Sequence, residues 1–184
     1  MASKTAIANR ALSKLGQPRM ANIDTDGTKA ARVMSEMWDI VRDAMLQAYP
    51  WNFAIKRAVL AQTDAPAWGW DYAYTLPVDC LAVIEIKDDP DYVVEDGKIL
   101  TDSAEVYLRY IYRVTDTSKF GALFTQAFGC MLAYEACEEL TQSTSKKDAL
   151  LGECRYFVDL AYTSDAIEQP GDKLPEDDWL TARA

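Results

Sequence analysis

The sequence predicts a mainly α protein of the α+β class: an antiparallel helix bundle of about four helices, a small antiparallel β-sheet inserted between its halves, and an extended C-terminal arm. Three observations predict it. A long amphipathic helical period stops against Pro50, residues 51–115 alternate bulky β-formers between turn signals, and two further helical periods follow. Residues 1–167 are expected to form one domain with helices over 3–15, 27–49, 119–141 and 146–167 and a β insertion over about 51–115. Division into two domains is the alternative, but a two-helix half cannot bury both of its faces alone.

Each element has a local cause. In the first helix Ile7, Ala8, Ala11, Leu12 and Leu15 share a face, Ser3 or Thr5 can cap the start, and Gly16 with Pro18 stops it. After a polar turn over 22–28, the second helix repeats Ala30, Val33, Met34, Met37, Trp38, Val41, Met45 and Ala48 at three- and four-residue intervals. Pro50 cannot continue it and turns Tyr49 away from helical geometry. An extended segment is expected from Trp51 through Phe53, Ile55 and Val59, with Trp51 and Phe53 packing into the core rather than binding a ligand. Leu81 to Lys87 reads as a strand. Asp96-Gly97 supplies the positive φ angles of a tight hairpin turn, and Val106 to Val114 completes the sheet.

Helix returns with Leu123, Phe124, Ala127, Phe128, Met131, Leu132 and Ala136, apolar over so wide an arc that this element should be central. Ser145, three residues before Asp148, has the spacing of a cap for the last helix. Residues 168–184 are acidic and contain Pro170, Gly171 and Pro175, which predicts an extended arm.

Composition narrows the function. Half of the 184 residues are apolar, and 29 acidic against 19 basic residues give a net charge of −10. Such a surface repels polyanions and anionic membranes, so tight sequence-specific nucleic-acid binding is not expected. DNA can still pass close by, since a negative wall releases no condensed counterions. Cys80, Cys130, Cys137 and Cys154 form no CxxC pair and are expected as free thiols rather than a disulfide or metal site. No apolar signal region or membrane-length run is apparent, and synthesis in the cytoplasm is expected.

Histidine is absent. Its absence removes the usual neutral-pH base, the commonest metal ligand and every Ser-His or Cys-His nucleophile pair. There is also no phosphate-binding loop or dinucleotide fingerprint. Neither a cofactor nor a metal is expected. Glu135, Glu138 and Glu139 leave carboxylate catalysis open, but among 29 acidic residues such a cluster arises by chance, and a solvated helix face explains it more simply.

Two features point to surfaces instead. Trp68, Trp70, Tyr72 and Tyr74 alternate, so in an extended chain all four would face one way. That ladder reads as the core side of a sheet or as an interface anchor; a base-stacking platform would need flanking cations, and none lies between Arg57 and Lys87. The arm carries Leu174, Trp179 and Leu180, which gain little in water. Either it is a mobile acidic tail or it orders on a neighbouring subunit.

Several segments in order carry a family resemblance: Ala8-Asn-Arg-Ala-Leu-Ser-Lys-Leu-Gly-Gln17, Tyr49-Pro-Trp-Asn-Phe-Ala54 with Lys56-Arg57-Ala58, Tyr72-Ala-Tyr-Thr-Leu-Pro-Val-Asp-Cys80, Arg109-Tyr110-Ile111, and the helical run Phe124 to Thr141. With these the chain resembles the tail tubular protein A family, the head-to-tail connector or adaptor proteins of short-tailed bacteriophages. The resemblance extends to about residue 167 and finds no shared pattern in the arm. It implies a non-enzymatic virion protein of the viral tail, made in the host cytoplasm. Its expected partners are copies of itself in a ring, commonly about twelve (a dodecamer), the portal protein on one side and the tail nozzle protein on the other. DNA would pass through the ring during ejection without specific binding, and no membrane is involved. A tail-associated peptidoglycan hydrolase using paired carboxylates is the alternative, and a cytoplasmic regulator binding through the aromatic ladder is a third reading.

Overall fold

In the computed structural model, which describes residues 3–168, four helices and seven strands share one continuous core. The helices are α1 (Lys4–Leu15), α2 (Lys29–Gln47), α3 (Ala122–Thr141) and α4 (Thr144–Ile167). The strands are β1 (Ile55–Val59), β2 (Gln62–Thr63), β3 (Tyr72–Thr75), β4 (Cys80–Ile86), β5 (Tyr92–Glu95), β6 (Lys98–Thr101) and β7 (Tyr107–Tyr112).

The helix ends are set by side chains. Ser3 caps α1 by accepting from the Ala6 N–H, while Thr5 is used elsewhere, accepting from the Ile23 N–H at 3.3 Å. Gly16, at φ 70°, closes α1 in the left-handed conformation that glycine adopts without cost. Thr28 caps α2. The turn after α3 is shorter than the sequence suggests. Gln142 at φ 52° ends that helix, and Ser143, not Ser145, accepts from the Lys146 N–H to start α4.

Helix α3 packs against α1, α2 and α4, as its all-round apolar surface requires. The loop from α1 to α2 is pinned by Asn9, whose amide donates to the Met20 carbonyl at 2.9 Å and accepts from its N–H at 2.8 Å, in a buried site. Asn9→Leu should lower stability by about 1–3 kcal/mol, because both Met20 backbone groups lose their partners. In urea unfolding this appears as a lower midpoint at unchanged slope; an unmoved midpoint would contradict the assignment.

The mainly α bundle with one small inserted sheet is corrected here. The protein is a mixed α+β fold whose strands form two antiparallel sheets, one ordered β1-β7-β4 and the other β2-β3-β6-β5. Two chain reversals divide them. Pro77 lies in the turn after β3, closed by the Cys80 N–H donating to its carbonyl, and β4 then joins the first sheet. Asp88 and Asp89, at φ 66° and 47°, return the chain past Pro90 to β5 in the second sheet. The hairpin at Asp96-Gly97 has positive φ at both residues and pairs Glu95 with Lys98. The extended segment expected from Trp51 is also shifted: residues 52–54 form a 3-10 turn and the strand starts at Ile55.

That turn is anchored from both sides. Trp51 is 1% exposed, its indole N–H donates to the Met45 carbonyl at 2.8 Å, and its ring meets Tyr49, Phe124 and Tyr162. Phe53 is half-buried beside Phe120 and Phe124. The junction therefore locks α2, α3 and α4 to the start of the first sheet.

Candidate functional site

Beside its core stripe, α2 presents a second apolar flank. Met37, Ile40, Ala44 and Ala48 face Met131 of α3 and Val158 and Tyr162 of α4 across a groove of about 470 Å³. Short alanine side chains leave the trough open, and flexible methionine thioethers line it with adaptable surface. Ile40, on its lip, is 72% exposed. Glu135 is the one charged lining residue among those described.

Helix α4 carries another apolar strip. Tyr156, Leu160 and Ile167 are exposed, and at 3.6 residues per turn they lie roughly opposite the groove-lining Val158 and Tyr162. The two apolar surfaces thus occupy opposite flanks of the same helix.

The aromatic ladder does not form. Gly69 at φ 93° bends the chain, and the strand begins only at Tyr72. Trp68 is 87% exposed, Trp70 is half-buried, Tyr72 packs against the core, and Tyr74 is fully buried with its hydroxyl donating to the Ser103 carbonyl at 2.8 Å. Of the four, Trp68 is the one largely exposed. Leu174, Trp179 and Leu180, with the expected extended arm, lie outside the described residues.

The glutamates of α3 sit on an open surface. Glu138 is paired with Lys147 at 2.7 Å, Glu139 lies 4.0 Å from Lys29, and Glu135 borders the groove. All four cysteines are free; Cys130 and Cys154 bring their sulfurs to 2.9 Å between α3 and α4. That contact, with burial, pushes the Cys154 thiol far above its ordinary range. Among the described residues no three His, Cys, Asp or Glu side chains are placed to hold a metal, and no helix is long and apolar enough to cross a membrane.

Titratable groups stabilise the junction more than they suggest chemistry. Lys56 bonds Asp79 at 2.7 Å and holds its carboxyl below the ordinary range, while burial and Asp79 push Tyr110 up to about 12. Arg42 is buried between Asp39 and Asp43. Asp165 is buried at the end of α4 and accepts from the Asn52 backbone N–H at 3.1 Å, while its own carbonyl accepts from the Asn52 amide at 2.7 Å.

Burial pushes the Asp165 carboxyl above its ordinary 3.8, partly opposed by the Asn52 N–H. The folded state therefore holds the proton more tightly than the unfolded chain, and stability falls as pH rises from the unfolded value through the folded one. Asp165→Asn keeps an acceptor for the Asn52 N–H and removes the charge. It should remove this loss and leave the variant at least as stable as the parent at neutral pH. Urea unfolding of both proteins across the acid-to-neutral range checks this, and a variant less stable than the parent at neutral pH would contradict it.

Neither a family model nor a curated protein matches the chain. The functional reading therefore rests on the residues and on the two apolar flanks.

Proposed function

We propose that this chain is a structural head-to-tail connector subunit of a phage tail, assembling as a ring between the portal and the tail nozzle through which DNA passes. One observation carries the reading: two apolar surfaces, the α2/α3/α4 groove and the Tyr156/Leu160/Ile167 strip, lie on opposite flanks of α4. Surfaces on opposite flanks cannot satisfy each other in a two-fold dimer of one patch. They suit a head-to-tail contact repeated from copy to copy, which closes into a ring when the rotation permits. The occupant of each groove is thus the next copy of the chain.

The resemblance in the segments around Tyr49 to Ala54 and Tyr72 to Cys80 supports the same reading, and so does the charge of −10. A negative wall releases no counterions as DNA approaches, so the duplex slides rather than binds. Mixing the purified chain with portal protein and measuring mass by light scattering tests the proposal. A defined ring on the portal is expected.

A further inference from the structure

One face of the first sheet departs from the acidity of the rest. Side chains alternate along a strand, so Arg57 and Val59 of β1 share this face with Tyr107 and Arg109 of β7. Glu85 and Lys87 complete a shallow hollow of about 450 Å³. Arg57 stands directly opposite Arg109, a pairing of like charges that disfavours the sheet unless an anion lies between them. Glu85 supplies part of one, 3.2 Å from Arg109 Nη1. Arg57 has no ion pair among the described residues, and Arg109 Nε is buried without a hydrogen-bond partner. Beyond the two arginines, Val59 is 66% and Tyr107 43% exposed, with Asp88 and Glu105 at the far rim. The Arg57/Arg109 end of the hollow is cationic, and the Val59/Tyr107 end exposes apolar surface with Lys87 Nζ 5.2 Å from the Tyr107 ring.

We propose that this hollow binds residues 176–180 of the same chain, Glu-Asp-Asp-Trp-Leu, with the acidic triplet on Arg57 and Arg109 and Trp179-Leu180 over Val59 and Tyr107. Three features select this occupant. The segment has the required chemistry, carboxylates followed by large apolar groups. The order also fits: α4 ends where Asp165 holds Asn52, just before β1, so a chain following β1 meets Arg57 before Val59. Reach suffices as well, since the nine residues from Glu168 to Asp177 span up to about 30 Å when extended. Asn52 and Arg57 are five residues apart, on the order of 17 Å at most. The α2/α3/α4 groove is the wrong site for this segment, because Glu135 would repel the acidic triplet.

The assignment is independent of the ring and is tested on the isolated full chain, without portal. A nitroxide is placed at Ala61→Cys, beside the hollow, in a Cys80→Ser background, and the Trp179 indole N–H is read by NMR, assigned through Trp179→Phe. The Trp179 signal should lose most of its intensity when label and isotope are on the same chain. Arg57→Glu with Arg109→Glu should restore it. Asp177→Lys with Asp178→Lys should restore it too, and these changes leave the sheet untouched. A Trp179 signal indifferent to the label would overturn the proposal. So would loss seen only in mixtures that carry label and isotope on different chains, which would assign the segment to a second copy.

Discussion

Replacing Trp51 with alanine is expected to destabilise the fold by about 3–5 kcal/mol, the range for deleting a large aromatic from a packed core. Domains of this kind are stable by only about 5–15 kcal/mol, so the variant should sit near the edge of folding. The size follows from what Trp51 touches. Its ring packs edge-on to Phe124 at 4.9 Å and lies 5.0 Å from Tyr162, joining α3 and α4 where α2 has just ended. Its N–H also satisfies the Met45 carbonyl in the last turn of α2. Trp51→Phe separates the contributions: it keeps an aromatic ring and leaves that carbonyl without the indole donor, at a cost of about 1–3 kcal/mol. Chemical unfolding of both variants measures the two parts. Equal losses for Ala and Phe would assign the whole effect to the hydrogen bond and contradict the packing account.

The second large effect concerns assembly rather than folding. Ile40 is exposed in the free chain, so Ile40→Asp should leave its unfolding midpoint nearly unchanged. In the proposed ring the same side chain, on the lip of the groove, is covered by the next copy, where a carboxylate has no partner. Losing one such anchor costs about 2 kcal/mol or more per contact, roughly thirtyfold in affinity. A ring repeats that cost at every interface, so assembly should fail outright. Leu160→Asp, on the opposite flank, should have the same effect through the other half of the contact. An Ile40→Asp subunit should also fail to extend a growing ring of wild-type copies through its groove.

Local signals in the sequence were strong where one element sufficed. The faces of α1 and α2, the stop at Gly16, the Asp96-Gly97 hairpin and the burial of Trp51 all follow from residues close together in the chain. The division into two sheets depended on distant pairings, β1 with β7 and β3 with β6, which alternation alone cannot assign. A pair of left-handed aspartates at 88 and 89 directs part of that division; Asp88-Asp89-Pro90 marks a turn in the sequence but not which sheet the next strand joins. The aromatic ladder misled for a related reason. Alternation implies a common face only in extended chain, and Gly69 breaks the extension.

The groove was invisible for a different reason. Met37, Val41, Met45 and Ala48 read as one core stripe of α2, yet the exposed flank lies where three helices converge. Ile40 was the available clue, an isoleucine between Asp39 and Val41 that falls outside the repeat. The cationic hollow was equally hidden, because Arg57 and Arg109 meet only through strand register.

Light scattering of the wild-type chain and Ile40→Asp, each alone and with purified portal, tests the connector reading most directly. The account predicts a defined multi-subunit ring on the portal for the wild type and none for Ile40→Asp, with both variants folded. A wild-type chain that ignores the portal, or an Ile40→Asp chain that forms the same ring, would contradict it.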